Sequence, residues 1–243
     1  MAGIVFAMPI EADAFAALAS ETVEYTAAAG RIVAGEVAGR RVAWSVSGAG
    51  GTAAARAARL LIDGHRPGLI LSAGFAGGLT PALVRGSVVH PRRALSRSAG
   101  LPIELATTGQ GTGEGNVAIV SVETVVTTAA AKRDLAAATG ASLVDMETYG
   151  VAKTAVAAGL PCASIRVISD DAAQDLPREI AALVQPQSGM RRLGAAISAI
   201  GRRPRAALDM WQLWEHAVVD GRTLAAAIER FLESLSRDRQ ASG

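Results

Sequence analysis

Short apolar segments alternate with helical segments between residues 3 and 170, and this alternation constrains the fold more than any other feature of the sequence. The segment GIVFA (3–7) is apolar without interruption, which predicts a strand covered on both faces. The segment 21–48 predicts an antiparallel hairpin that returns through a third strand. Further strands are predicted at 68–74, 86–98, 116–122, 142–146 and 162–169, and helices at 10–20, 51–65, 128–140 and 148–159. The pattern predicts an α/β three-layer sandwich with a mixed, mainly parallel central sheet.

Only helical patterns follow Leu176, in the segments 177–184, 190–204, 205–220 and 222–236. The last segment carries an apolar stripe opposite a charged face, which is typical of a helix that packs on the protein body. Contact with a membrane surface is the alternative. No linker interrupts the chain, so we expect one domain over 1–243, with an α/β core (1–175) and a helical C-terminal extension (176–243). The stripe consists of Leu224, Ile228, Phe231, Leu232 and Leu235.

Composition excludes several functional classes. The formal charge is +2 and no basic run is interleaved with aromatic residues, which argues against nucleic-acid binding. No apolar run approaches the roughly 20 residues of a membrane span. Acids at Glu11 and Asp13 argue against a signal peptide, and the single cysteine, Cys162, fits a reducing compartment, so we expect a cytoplasmic protein. Cys162 is expected to be a small buried hydrophobe, and the 3 histidines form no metal-ligand pattern.

Unusual residues follow several of the predicted strands. In open α/β sheets, ligands bind where strands end and turns begin. Each turn alone has an ordinary structural explanation, since Glu11 could favour a helix dipole and Asp170 could cap a helix. The glycine-rich turns do not match a dinucleotide-binding pattern. The turns are AMPIEADAF (7–15), SGAGGT (47–52), SAGFAGGL (72–79), DMET (145–148) and IRVISDDA (165–172).

Taken together and in this order, these segments resemble the nucleoside phosphorylase and methylthioadenosine/adenosylhomocysteine nucleosidase family. The resemblance covers residues 3–172, and the Met-Glu and Ser-Asp pairs are its most diagnostic parts. The VDME motif, the proline after the acidic turn and the arginine-rich C-terminal helices are similar to a branch of hopanoid-associated phosphorylases. That branch occurs with squalene–hopene cyclase genes. The resemblance implies a phosphorylase/hydrolase-like fold and a nucleoside substrate.

The resemblance also implies residues that bind the sugar. Glu147 matches a glutamate that accepts hydrogen bonds from ribose hydroxyls, and Met146 matches a methionine that packs beneath the sugar. Such a carboxylate is satisfied on binding and rejects analogues without hydroxyls. Gly77 would let the backbone approach the sugar or the nucleophile. Asp145 has two open roles, direct contact with the substrate or hydrogen bonding to nearby backbone.

At the base, the resemblance makes Asp170 the general acid at purine N7, with Ser169 orienting it. Protonation spares the departing base a full negative charge and supplies on the order of 10²–10⁴ in rate. An aspartate here, where family members acting on 6-oxopurines have asparagine, suggests adenine. The backbone near Val126 corresponds to the segment that hydrogen bonds the base.

The nucleophile is water or inorganic phosphate, and no other cofactor is expected. Glu11 matches the glutamate that activates water and Arg166 the arginine that fixes it, whereas phosphorylases grip phosphate with arginines at the first turn. A carboxylate there repels a dianion, so the sequence favours hydrolysis. Phe75 replaces a serine of the nucleosidases, and it either reshapes the nucleophile pocket or turns into the core. Phosphorolysis stays open because three arginines could reach the pocket: Arg41, Arg56 and Arg85.

The sequence therefore predicts an enzyme that cleaves the N-glycosidic bond of a 5′-modified adenosine. The substrate suggested by the branch is adenosylhopane, with Trp211, Trp214 and Phe231 as a wall of its lipid channel. The alternatives are a methylthioadenosine/adenosylhomocysteine nucleosidase, a phosphate-dependent phosphorylase, and a binding protein that lost catalysis. A homodimer is expected from the family.

Overall fold

The structure is a computed structural model that describes residues 1–27, 30–98, 100–106, 117–176 and 204–241, with the side chains of the last range described for 215–235. Its helices are α1 (Pro9–Ala16), α2 (Gly51–His65), α3 (Ala129–Thr139), α4 (Thr148–Ala157) and α5 (Pro204–Ala241). Its strands are β1 (Ala2–Phe6), β2 (Ser20–Ala27), β3 (Gly30–Val37), β4 (Arg40–Val46), β5 (Leu69–Gly78), β6 (Val88–Val89), β7 (Arg93–Ser96), β8 (Ile103–Glu104), β9 (Ala118–Ser121), β10 (Leu143–Asp145) and β11 (Cys162–Asp170).

The strands form one mixed sheet in the order β2-β3-β4-β1-β5-β10-β9-β7-β8. Strand β5 is its branch point, because it pairs in parallel with β1 and with β11 and antiparallel with β10 at Gly77 and Gly78. Parallel pairing also joins β1 to β4, β9 to β10 and β7 to β9. The predicted hairpin region forms the antiparallel edge β2-β3-β4. The expected mixed, mainly parallel centre is thereby confirmed.

Two helical layers cover the sheet, as the sequence predicts. Successive side chains of β1 point to opposite faces: Ile4 and Phe6 join a core cluster with α1 and α5, whereas Val5 joins a cluster with α2 and α4. Both faces of β1 are buried, which explains its uninterrupted apolar sequence. The predicted strand at 86–98 is instead two short strands, because β6 pairs with β11 whereas β7 pairs with β8 and β9. Pro91, which has no N–H to donate to a ladder, lies between them.

The C-terminal helix α5 is continuous through Gly221, where the sequence predicts two separate helices. That prediction is wrong because the glycine serves a close contact: a Cβ on Gly221 would lie 2.8 Å from the backbone oxygen of Ile10 in α1. Tertiary packing therefore outweighs the low helix propensity of glycine. The helical segments predicted at 177–184 and 190–204 lie almost wholly outside the described residues.

The apolar stripe of α5 packs onto the protein body. Leu224, Ile228 and Leu232 are fully buried against the cluster that contains Phe6 and Phe15. Phe231 is 5% exposed and is packed in the same cluster, so its predicted role as a channel wall is wrong. The side chains of Trp211 and Trp214 lie outside those described. No helix within the described ranges has the length and apolarity needed to cross a membrane.

Candidate active site

One pocket of about 210 Å³ opens where strands β1, β5, β9, β10 and β11 end. All predicted site residues line it except Arg166, which lies behind the wall with 1% of its side chain exposed. Residues far apart in sequence thus meet at one edge of the sheet, as expected of an α/β fold. The predicted residues in the lining are Glu11, Phe75, Gly77, Val126, Met146, Glu147, Ser169 and Asp170.

Arg166 organises one end of the pocket. Its Nη2 donates to the Ser72 hydroxyl at 2.6 Å and the Thr148 hydroxyl at 2.8 Å, and it pairs with Asp145 Oδ2 at 2.8 Å. A Cβ on Gly74 would lie 2.5 Å from Arg166 Nη1 and 2.6 Å from Glu11 Oε1, so only glycine leaves room for the two charged groups. We call Arg166, Asp145, Glu11 and Glu147 the Arg166 cluster.

Glu11 is held by three backbone amides. Its Oε2 accepts hydrogen bonds from Ala7 and Met8 at 2.9 and 2.8 Å, and its Oε1 accepts one from Phe75 at 2.9 Å. The bond from Met8 caps the start of α1, so the structural explanation of this acid holds as well. Burial nevertheless raises the pKa of Glu11, against the lowering effect of these amides and of Arg166.

Glu147 faces the pocket from the start of α4. Its Oε1 accepts a hydrogen bond from the Gly50 amide at 2.7 Å, in the turn before α2. Burial and, secondly, the Asp145 carboxylate raise the pKa of Glu147 to about 7. A carboxylate in this state is under-solvated, and hydroxyl donors of a ligand would satisfy it.

Asp145 makes the local hydrogen bonds expected of one of its two predicted roles, and it also lines the pocket, where the other role would place it. Its Oδ2 accepts from the backbone amide of Thr148 at 2.8 Å and pairs with Arg166, and its Oδ1 accepts from the Ser121 hydroxyl at 2.6 Å. The same Ser121 hydroxyl accepts from the Tyr149 amide. Asp145 therefore fixes the start of α4, which carries Glu147.

The opposite end of the pocket contains a second charged group, which we call the Lys132 cluster: Lys132, Ser169 and Asp170. Lys132 Nζ on α3 pairs with Asp170 Oδ2 at 2.6 Å, and the Ser169 hydroxyl donates to Asp170 Oδ1 at 2.7 Å. Lys132 is 0% exposed. Asp170 thus faces the pocket with both oxygens already held.

Apolar side chains line the pocket between the two clusters. Phe75 both lines the pocket and packs against the core beneath α1 and α5, so its two predicted positions coexist. A Cβ on Gly77 would lie 3.1 Å from Asp170 Oδ2, so this glycine leaves space beside the acid. Val126 and Met146 lie in the same small core cluster and form the wall nearest β9 and β10.

Cations are absent from the described residues that line the pocket. Arg85 is instead paired with Asp220 of α5 at 2.8 Å, and Arg41 is exposed on β4. Arg56 lines a neighbouring groove of about 1060 Å³ between α2 and α4. The groove shares Ala49, Val122 and Met146 with the pocket, so the two spaces adjoin.

Comparison with known proteins identifies the family. The model of the Phosphorylase superfamily matches residues 2–118 and 114–200, which is most of the chain. The chain belongs to the phosphorylase superfamily. A curated relative, the 5′-methylthioadenosine/S-adenosylhomocysteine nucleosidase of Actinobacillus succinogenes, is 34% identical over 87 residues. That match spans 36% of this chain and 38% of the relative.

Two solved structures share the fold over nearly the whole chain. The 5′-methylthioadenosine/S-adenosylhomocysteine nucleosidase of S. pneumoniae, with a transition-state inhibitor, has a TM-score of 0.73 at 19% identity and covers 96% of this chain and 99% of its own. The futalosine hydrolase of Helicobacter pylori has a TM-score of 0.68 at 17% identity and covers 98% of this chain and 97% of its own. The predicted fold class is confirmed.

Lys132 is a site residue that the sequence does not predict. It lies three residues before Leu135, and both are buried on the inner face of α3, but a lysine in a helix is usually exposed. Its place in an otherwise alanine- and leucine-rich face was the only signal. The expectation for Cys162 agrees with the structure, since it is buried and burial raises the pKa of its thiol to about 12. The described residues contain no group of acids, histidines and cysteines that could hold a metal ion.

Proposed function

We propose that this protein is an N-ribosyl hydrolase that cleaves a 5′-modified adenosine with water and releases adenine. The observation that carries the proposal is the charge arrangement of the pocket. Carboxylates Glu11 and Glu147 stand at one end, Asp170 stands at the other, and the described lining contains no cation. At the end with Glu11 and Glu147, a phosphate dianion would be repelled by these carboxylates, whereas water and ribose hydroxyls would find hydrogen-bond acceptors.

The proposed roles follow this geometry. Glu147 accepts hydrogen bonds from the ribose hydroxyls, with Met146 beneath the sugar. Glu11 takes the proton of the attacking water, because its pKa is raised and its Oε1 holds only one backbone donor. Arg166 keeps the cluster assembled from behind the wall. Asp170, which accepts a hydrogen bond from Ser169, delivers a proton to purine N7. The nucleosidase name of the 34% identical relative supports the same chemistry.

The groove next to the pocket bears on the size of the 5′ substituent. Because the groove adjoins the pocket at Ala49 and Met146, a long substituent could continue into it, which supports a lipid-linked nucleoside such as adenosylhopane. Methylthioadenosine or adenosylhomocysteine is the competing substrate, and it would use the pocket alone. The proposal includes a homodimer, which light scattering would measure. It also includes peripheral membrane contact, which vesicle sedimentation would measure.

The test is adenine release from methylthioadenosine, adenosine and a series of 5′-alkyl adenosines, each with and without phosphate. We expect equal rates under both conditions, with a free ribose derivative as the second product. Tighter binding of adenosines with longer 5′-alkyl chains would support the lipid-linked substrate. Loss of activity as the 5′-alkyl chain lengthens would support methylthioadenosine. Release only with phosphate would overturn hydrolysis, and binding of nucleosides without turnover would favour a non-catalytic protein.

A further inference from the structure

The buried ammonium of Lys132 has three acceptors among the residues that the structure describes. Its Nζ donates to the backbone oxygens of Asp171 at 2.6 Å and Gln174 at 2.9 Å, and it pairs with Asp170 Oδ2 at 2.6 Å. An ammonium has three N–H donors, so each acceptor takes one. The two carbonyls fix the orientation of the group, and the third N–H is directed at Asp170.

This pairing changes what Asp170 can do. An aspartate in an ion pair with an ammonium is present as the carboxylate and carries no proton to give, while the departing base needs one. The Ser169 hydroxyl at Oδ1 is far too weak an acid to supply it. The nearest dissociable proton is therefore the one that Lys132 directs at Asp170 Oδ2, the oxygen next to the open space at Gly77.

We propose that Lys132 is the source of the proton that reaches the departing base, acting through Asp170; this inference rests on the proposed function. As the C1′–N9 bond breaks, its electron pair moves onto the purine. A proton passes from Lys132 Nζ to Asp170 and from Asp170 to N7, so neutral adenine leaves. The oxygen of water bonds to C1′ and its proton passes to Glu11.

The local geometry suits this transfer. After giving up one proton, the neutral amine still has two N–H groups for the carbonyls of Asp171 and Gln174, so no buried acceptor loses its partner. After product release, the proton on Glu11 exchanges with solvent and Lys132 is reprotonated. Lysine can act in this way because, unlike arginine, it can release its proton in a protein.

The competing explanation is purely structural, with Lys132 as a tie between α3 and the turn 171–174. A second tie of the same turn provides a matched control, because Asp175 Oδ1 accepts the Ala129 amide at the start of α3 at 2.7 Å. Asp175 is exposed and does not line the pocket. Loss of a structural tie affects every substrate alike, whereas loss of a proton source affects only leaving groups that need protonation.

The experiment compares adenine release from methylthioadenosine with nitrophenolate release from the p-nitrophenyl riboside of the same sugar. Nitrophenolate leaves as a stable anion. We expect Lys132→Met to lower kcat for adenine release by about 10²–10⁴ and nitrophenolate release by no more than about threefold. Lys132→Gln, which keeps two N–H donors for the turn, should give the same result as Lys132→Met. Adding either change to Asp170→Asn should cause no further loss, because the residues act as one unit.

The control variant Asp175→Ala should affect both leaving groups equally, and thermal unfolding identifies any variant that does not fold. Equal losses on both leaving groups in Lys132→Met and Lys132→Gln would overturn the inference and leave the proposed function intact. Wild-type protein that releases neither adenine nor nitrophenolate would overturn the proposed function, and the inference with it.

Discussion

The two charged clusters of the pocket balance their charges differently. In the Lys132 cluster, one ammonium faces one carboxylate, Asp170, at 2.6 Å. In the Arg166 cluster, Glu11, Asp145 and Glu147 share a single arginine, whose close contact is with Asp145. Burial raises the pKa of both Glu11 and Glu147, and the Asp145 carboxylate adds to the effect at Glu147. One end of the pocket is therefore charge-balanced, whereas at the other end three carboxylates share one cation and have unused capacity for hydroxyl and water donors.

Removing the shared arginine should have the largest effect. Arg166→Met leaves Asp145 buried and unpaired, and breaking a buried ion pair in this way costs about 3–5 kcal/mol of unfolding free energy. Urea denaturation measures the loss. The matched control is Arg59→Met, because the Arg59–Asp63 pair has 60% and 58% of its side chains exposed and contributes at most about 1 kcal/mol. Equal stability of the two variants would show that Arg166 does not hold the cluster together.

Removing one excess carboxylate should alter the pH dependence of stability. The pKa of Glu147 is raised from 4.5 to about 7. Below pH 4.5 the residue is protonated in both states; as the pH rises towards 7, only the unfolded state loses the proton, so stability falls. The difference between the two pKa values corresponds to a loss of about 3 kcal/mol in the unfolding free energy of the wild type. Glu147→Gln has no titrating carboxyl group at this position and should not show this loss.

The measurement for Glu147 is the unfolding free energy of wild type and variant at a series of pH values between 4 and 8. The stability of the variant relative to wild type should increase by about 3 kcal/mol across this interval. Glu123→Gln is the control, since Glu123 is exposed and should show no such gain. A constant difference between wild type and Glu147→Gln would mean that the Arg166 cluster is charge-balanced after all.

The smallest effect is expected in the cluster that is already neutral. Ser169→Ala removes one hydrogen bond to Asp170 but leaves the pair with Lys132 intact. We expect adenine release to fall by about tenfold, the equivalent of about 1.4 kcal/mol, with no change in the melting temperature. A loss as large as that of Asp170→Asn would instead show that the serine, and not the lysine, controls this acid.

The fold and much of the pocket could be predicted because their signals are local. Uninterrupted apolar segments such as 3–7 indicate buried strands, and parallel strands bring the turns that follow them to one edge of the sheet. The branching of the sheet at β5 could not be predicted, since pairing between distant strands leaves no local pattern. Gly221 was misinterpreted for the same reason: whether a glycine ends a helix or permits a contact depends on its neighbour in space, here Ile10.

In the site too, some residues could be predicted from the sequence and others could not. Glu11 and Glu147 come after strands and Asp170 ends one, so all three could be predicted as pocket residues. Arg166 is predicted only through the family resemblance, and Lys132 is not predicted at all, because within β11 and on α3 the sequence alone does not tell which side chains turn inward. The physical character of each cluster is set by these buried cations, and so the distinction between the two ends required the structure.

The packing of α5 against α1 has a consequence for the synthesis of the protein. Helix α1 carries Glu11 and is synthesised before most of the fold, but the apolar cover that it shares with Phe6 and Phe15 comes from residues 224–232, which follow the whole sheet in sequence. The nascent chain must therefore keep an uncovered apolar face until residues 224–232 have been synthesised, a state that is prone to aggregation. A prematurely terminated chain lacks that cover, so the integrity of the last helix decides whether the first one can hold its acid in place.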